Sequence, residues 1–322
     1  MQEEHKLGVV AIGRNEGERL RRCLLSLLPA VPATVYVDSG STDGSSQMAA
    51  EMGAVVVDLD MSQPFTAARA RNTGFQQLLQ QFPDVTLVQF VDGDCEVVPG
   101  WLEAARIFLR EHPTYAVVCG RRRERHPERS MYNAMCDREW DTPIGDTLAC
   151  GGDAMMRVDA LKAASGYRDS MIAGEEPELC FRLRQAGWRI HRLDKDMTLH
   201  DANITRLRQW WVRTVRSGHA YAEGAWLHGS SPERFWVREA RRSWLWGVLF
   251  PASTVLAVLL AGPPAALLAA LYPLQWVRLL SRTGSAREST FMILGKFAEA
   301  RGAMKFHLSR LGGGSRHIIE YK

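Results

Sequence analysis

The sequence is poor in cysteine. The six cysteines, at 23, 95, 119, 136, 150 and 180, form no C-x-x-C pair. Such scatter fits reduced thiols in a cytosolic compartment better than a disulfide framework or a zinc site. A dominant charge sign is lacking too: 40 Lys+Arg against 36 Asp+Glu leave a formal net charge of +4. Spread along the chain, that balance makes no footprint for nucleic acid. Low-complexity tracts and internal repeats are missing, which excludes solenoid and largely disordered classes. The opening Met1-Gln2-Glu3-Glu4-His5-Lys6 has no basic end followed by an apolar stretch, so no secretory signal is expected. One absence is local: Ser243 to Val277 carries no charged residue. The run is long for one ordinary membrane span and short for two. Gly262-Pro263-Pro264 divides it, and Pro-Pro cannot continue a helix. A membrane hairpin or re-entrant pair is expected over 243–278. Arg238, Arg241 and Arg242 on one side, with Arg278 and Arg282 on the other, would hold both ends at the cytoplasmic face. The alternative is a buried hairpin of a soluble domain.

What is present begins with apolar runs alternating with helical periods. Leu7 to Ile12 reads as a buried strand, and Glu16 to Leu28 as a helix with Leu20, Leu24, Leu27 and Leu28 on one face. Thr34 to Val37 is a second strand ending at Asp38. Ser41 or Thr42 can cap a helix that Gly53 stops. Strands at 54–57 and 86–91 flank a helix over 66–81, and Pro99 suits the first turn of a helix over 99–111. Alternating strands and helices imply an α/β fold, doubly wound, with a mostly parallel sheet. Residues 1–205 are expected to form the main domain, with 1–120 as a nucleotide-binding half and the less regular 121–205 as an acceptor half. Amphipathic linker helices are expected over 206–242. Within the closing segment 279–322, residues 290–311 look amphipathic and basic, as either an interfacial helix or an ordinary surface helix would.

The chemistry gathers at Val88-Gln89-Phe90-Val91-Asp92-Gly93-Asp94, a buried strand ending in two carboxylates. Ligands of open α/β sheets bind beyond the carboxyl ends of strands. Hard oxygen donors there suit Mg²⁺ or Mn²⁺ holding a diphosphate. Asp-Gly-Asp is equally an ordinary turn.

Four pieces in order resemble the family 2 glycosyltransferases of the GT-A fold. They are Val9-Val10-Ala11-Ile12-Gly13-Arg14-Asn15-Glu16, Val37-Asp38-Ser39-Gly40-Ser41-Thr42-Asp43-Gly44, Asp92-Gly93-Asp94, and Gly174-Glu175-Glu176-Pro177-Glu178-Leu179-Cys180-Phe181-Arg182-Leu183. The resemblance covers about residues 7–200. It implies that Asn15, Glu16, Asp38, Ser41, Arg71 and Asp92 face the nucleotide-sugar. Asp38 would accept the imide N–H of a uracil, Arg71 would meet phosphate or sugar, and Asp92 the ribose or sugar. Ser41 could instead be a helix cap, and Arg71 part of a solvated helix face. Asp94 would ligate the metal directly, with His200 as a further ligand from the C-terminal half. Glu176 stands where the family has aspartate and would be the catalytic base; Glu175, Glu176 and Glu178 also suit a helix start on electrostatic grounds alone. Gly152 and Asp153, in Gly151-Gly152-Asp153-Ala154, resemble the acceptor-side segment, and Glu175 would lie beside it. The basic stretch Arg121 to Arg129 reads as a solvated loop or a contact for a phosphorylated lipid. Gln209-Trp210-Trp211-Val212-Arg213 departs from the Q-x-x-R-W motif of processive synthases and reads as a tryptophan-rich helix near a membrane surface.

The expectation is therefore an inverting transferase. It would move one sugar from a nucleotide-sugar, a UDP-sugar in the first instance, to a lipid-linked, polysaccharide or lipopolysaccharide-type acceptor. It would work with Mg²⁺ or Mn²⁺ at the cytoplasmic face of the inner membrane. A sugar-phosphate nucleotidyltransferase would want a Gly-rich loop with a lysine after the first strand, which Gly13-Arg14-Asn15-Glu16-Gly17 does not supply. A non-catalytic sugar-binding protein of the same fold is the other alternative.

Overall fold

The computed structural model describes residues 6–312; the charged start at 1–5 and the end of the predicted closing segment, 313–322, lie outside the described residues. The chain divides into two compact units, Met1–Met171 with Glu175–Thr205, and Ile172–Gly174 with Arg206–Lys322.

In the first unit, β1 (Leu7–Gly13) leads to α1 (Glu18–Leu27), which buries Leu20, Cys23, Leu24 and Leu27 at helical spacing. β2 (Thr34–Asp38) is buried throughout. α2 (Ser45–Glu51) starts after Gly44 in a left-handed conformation, so neither Ser41 nor Thr42 caps it. Both are committed elsewhere, to Asn15. β3 (Val55–Asp58) precedes α3 (Ala67–Gln81), which Thr66 caps by accepting the Arg69 N–H. α3 lies close on the sheet: a Cβ at Gly74 would stand 2.8 Å from Val37 Cγ2. β4 (Leu87–Asp92) and β5 (Cys95–Val97) follow, then α4 (Trp101–Glu111). Pro99 sits just outside α4, because Gly100 at φ 80° takes the cap position.

β6 (Tyr115–Glu124) corrects the sequence reading of a basic loop, since Arg121–Glu124 continue the strand. α5 (Met131–Glu139), β7 (Gly145–Asp146), β8 (Ala154–Arg157), α6 (Val158–Ala163), α7 (Glu175–Gln185) and β9 (Arg189–His200) complete the unit. The strand order is β3-β2-β1-β4-β8-β6-β9-β5, with β7 on β9. The N-terminal strands β3, β2, β1 and β4 are parallel, as expected. Beyond β4 the sheet is mixed: β8 runs antiparallel to β4 and β6, β5 and β7 antiparallel to β9, and only β6 and β9 are parallel there. The shorter pairing strands of the acceptor half carry no alternation strong enough to announce this order.

In the second unit, α8 (Leu207–His228) packs on α12 (Ala286–Leu311) through glycine contacts: a Cβ at Gly218 would strike Glu299, and one at Gly302 would strike Val215. α12 buries Ala298, Ala300, Ala303 and Phe306. Its other face stays open, with Met292, Leu294, Met304 and Leu308 exposed, so it is an amphipathic helix with one buried side, as a surface helix has. Trp210 is internal, edge-on to Phe291 with ring centroids 4.7 Å apart. Between these helices, α9 (Val237–Trp244) runs through a wide π turn into α10 (Phe250–Ala261). α10 ends at Gly262, φ 85°, as the Pro-Pro break requires. A 3₁₀ segment (Pro263–Ala270) and α11 (Leu271–Thr283) return alongside: the Tyr272 hydroxyl donates to the Trp246 carbonyl at 2.6 Å, and its ring packs on Phe250. This hairpin buries little. Leu259, Leu260 and Leu267 are 76%, 79% and 78% exposed. Val237–Ala261 is long and apolar enough to cross a membrane, and none of its most apolar window is buried.

Candidate active site

The carboxyl ends of β1, β2 and β4, with the ends of β5 and β9, bring the sequence-predicted residues into three groups. The first shapes a loop. Asn15, at φ 56°, accepts the Thr42 N–H through Oδ1 at 2.8 Å, and its own N–H donates to Ser41 Oγ at 2.8 Å. Asp38 Oδ2 accepts the Gly40 and Ser41 N–H groups, and Oδ1 accepts the Tyr36 hydroxyl at 2.9 Å. Asp38 is buried, so its first task is to hold the turn. Glu16 pairs with Arg19 at 2.7 Å.

The second group is a buried charge network around Asp92. Its carboxylate accepts from Arg71 Nη2 at 2.8 Å and Arg122 Nη2 at 3.0 Å. Burial alone would raise its pKa; the two guanidinium groups instead hold it well below the usual carboxylate range. Arg71 also pairs with Glu175 at 2.9 Å and Glu176 at 3.1 Å. Arg71 is therefore buried among three carboxylates, a pin between the end of β4 and the start of α7, and not the solvated helix face that was its alternative reading. Asp153, expected to face the acceptor, is fully buried. It accepts from Arg122 Nε, Thr198 Oγ1 and the Asp92 N–H. Its role in this arrangement is to position Asp92 and Arg122. Gly152 leaves room for the same network, because a Cβ there would lie 2.8 Å from Asp92 Oδ2. Arg122 was hidden in the basic run 121–129. Its guanidinium bonds Asp92 and Asp153 and also lies over the Trp140 ring at 5.7 Å.

The acidic start of α7 separates into three roles. Glu178 is fully buried between Arg168 (3.3 Å) and Arg182 (2.8 Å), a structural ion pair. Glu175 is buried on Arg71. Glu176 alone keeps an opening, its side chain 14% exposed. Burial, then the negative charge of Glu175, push its pKa up to about 7 against the pull of Arg71. A carboxylate poised there has the proton affinity a general base needs near neutral pH.

The third group is Asp94 with His200. His200 Nε2 lies 3.4 Å from Asp94 Oδ2, and both side chains are buried. Burial, then the charge of Arg122, lower the His200 pKa to about 4, so the imidazole is neutral. A neutral imidazole beside a carboxylate suits a divalent cation, because metal binding requires deprotonated ligands. The carboxylate suits Mg²⁺ or Mn²⁺, and the imidazole suits softer divalent ions as well.

Residues 9–163 match the family described as glycosyl transferase family 2. The chain is 28% identical over 234 residues to the pre-mycofactocin glycosyltransferase of Mycobacterium tuberculosis, covering 68% of this chain and 47% of the relative; it thus spans about half the length of that relative. Among solved structures, the mannosyltransferase PcManGT of Pyrobaculum calidifontis, in complex with GDP-Man and Mn²⁺, is similar with a TM-score of 0.64 and 20% identity. The match covers 93% of this chain and 87% of that one. TarS residues 1–349 of S. aureus, in complex with UDP-GlcNAc, give a TM-score of 0.54 at 14% identity over 96% and 92% of the two chains. Residues 9–163 thus carry the match to glycosyl transferase family 2, and the chain has the GT-A fold of these solved structures.

Proposed function

We propose that the chain transfers one sugar, with inversion, from a UDP-sugar to a lipid-linked or lipopolysaccharide-type glycan acceptor at the cytoplasmic face of the inner membrane. The observation that carries the transfer chemistry is Glu176. It is the carboxylate of the α7 cluster with an opening and a pKa near neutrality, joined through Arg71 to the Asp92 end of β4. Glu176 accepts the proton of the acceptor hydroxyl as that oxygen attacks the anomeric carbon. Asp94 and His200 are the residues that would hold the cation. When bound, the cation supplies charge that stabilises the departing nucleoside diphosphate. Arg71 and Arg122 fix Asp92 in one orientation for the sugar or ribose hydroxyls, with their own charges already satisfied. The turn held by Asn15, Asp38 and Ser41 forms the wall for the base. Thermal shift with UDP, GDP and CDP in Mn²⁺ tests the nucleotide: the largest stabilisation is expected with UDP, and a larger shift with GDP overturns that choice.

The pH profile tests the base. Glu176 must be deprotonated to work, so kcat/KM is expected to climb with pH through about 7 and level off above it. Activity that is flat from pH 5.5 to 8 would remove Glu176 from the role.

Membrane association is supported by the exposed apolar hairpin and its arginine flanks. The full chain is expected in the membrane fraction, resistant to high salt and released by detergent. Leu259→Glu with Leu260→Glu alters two side chains that the fold leaves exposed. Both lie in the last turn of α10, at the turn of the hairpin; a charge carried into the hydrocarbon there costs several kcal/mol, so the double variant should move to the soluble fraction. Wild-type protein that is monodisperse without detergent overturns the membrane reading.

A further inference from the structure

The sheet register sets a thiol beside the metal pair. In the antiparallel pairing of β5 with β9, Cys95 lies directly opposite His200. Directly paired residues present their side chains on the same face. Cys95 also follows Asp94 in sequence, and its Sγ is 3.7 Å from Asp94 Oδ1. One donor atom each from Asp94, Cys95 and His200 falls within 4.8 Å of the others. Cys95 Sγ can also be grouped with Asp92 and Asp153. Those two carboxylates are also bonded to Arg71, Arg122 and Thr198.

We propose that Asp94, Cys95 and His200 form a three-ligand site for a borderline-soft cation, zinc or its analogue cadmium, with Cys95 bound as thiolate. The proposal rests on the reading of Asp94 and His200 as the metal pair. The spacing supports it. Tetrahedral zinc, with bonds of about 2.0–2.3 Å, sets neighbouring N, O and S donors ~3.4–3.6 Å apart. His200 Nε2 lies 3.4 Å from Asp94 Oδ2 and Cys95 Sγ 3.7 Å from Asp94 Oδ1, the two oxygens of one carboxylate, and one donor atom of each residue lies within 4.8 Å of the others. An octahedral Mg²⁺ with bonds of 2.0–2.1 Å brings adjacent donors to ~3.0 Å, so the pair must close up for that ion. Sulfur discriminates further: thiolate favours zinc over magnesium or manganese. On binding, the thiol proton leaves to buffer and a metal–sulfur bond forms, with no change of oxidation state. Three protein ligands leave a fourth position open. Zinc would therefore compete with Mn²⁺ for Asp94 and His200.

The test uses cadmium and zinc alone on the full chain in detergent. One equivalent of Cd²⁺ should give the ultraviolet charge-transfer band of a cadmium thiolate. The band should disappear in Cys95→Ser and persist in Cys136→Ala, whose thiol is buried on α5. Zinc affinity, measured by competition with a chromophoric chelator, should fall on the order of 100-fold in Cys95→Ser, at least what loss of an outer-shell partner costs. Mn²⁺ affinity should change little. No band in wild type, or a band that survives Cys95→Ser, overturns the proposal, and the wild-type spectrum decides even if the variant fails to fold. Mn²⁺-dependent binding of UDP to the wild type is measured in parallel. If it is intact while the band is missing, only the thiol role fails; if it too is absent, the metal reading of Asp94 and His200 fails with it.

Discussion

Glu176→Gln is expected to slow sugar transfer by about 10²–10⁴ while nucleotide-sugar binding survives, the usual worth of a positioned general base. Glutamine keeps the shape of the side chain and can still accept a hydrogen bond from Arg71, but it cannot take the acceptor's proton. The neighbouring glutamates serve as controls because the structure gives them different work. Glu178 is sealed between Arg168 and Arg182. Removing its charge takes the buried counter-charge from Arg182 and from the more exposed Arg168, so Glu178→Gln should lower the melting temperature first. Glu175→Gln leaves Arg71 Nη1 on Glu176 but removes a negative charge that raises the Glu176 pKa, so it should move the pH profile to lower pH. Initial rates, donor-binding calorimetry and melting curves for the three variants separate these effects. Turnover like wild type in Glu176→Gln moves the base elsewhere.

Much of this arrangement was legible in the sequence because β1, β2 and β4 are buried on both faces and read as continuous apolar runs. The carboxylates placed at their ends then had to lie together. What the sequence left out depended on partners distant in sequence. Ser41 and Thr42 look like helix caps until Asn15, on another loop, engages both. Arg71 and Asp153 look like ligand contacts, and each is also held by a charge network whose other members come from β4, β6, β9 and α7. Arg121–Glu124 read as a loop because four consecutive charged residues mask strand alternation; Arg122 finds its counter-charges only in the folded sheet. The pairing of Cys95 with His200 is set by register alone. In α12, the Gly and Ala positions that let α8 approach are weak signals beside the charges that share the helix.

Asp94→Asn is expected to abolish metal-dependent binding of a nucleoside diphosphate. A neutral amide is a poor ligand for a hard cation, and no other carboxylate of the Asp-Gly-Asp turn can stand in, because Asp92 is held by two arginines. The effect should be local. Asp94 bears on His200 and Cys95, and its loss leaves the Arg71–Asp92–Arg122 network intact. Asp92→Asn is the informative contrast. It leaves Arg71 and Arg122 buried with less counter-charge, so it should destabilise the fold by several kcal/mol and weaken activity whether or not metal is present. Calorimetry of UDP with and without Mn²⁺, run beside thermal melts, reads both quantities. Wild type should bind UDP far more tightly with Mn²⁺, and Asp94→Asn should bind weakly and equally in either buffer with an unchanged melting temperature. Equal binding with and without Mn²⁺ in the wild type would mean that Asp94 and His200 hold no cation for the donor and that the Asp-Gly-Asp is a turn whose carboxylates serve the fold.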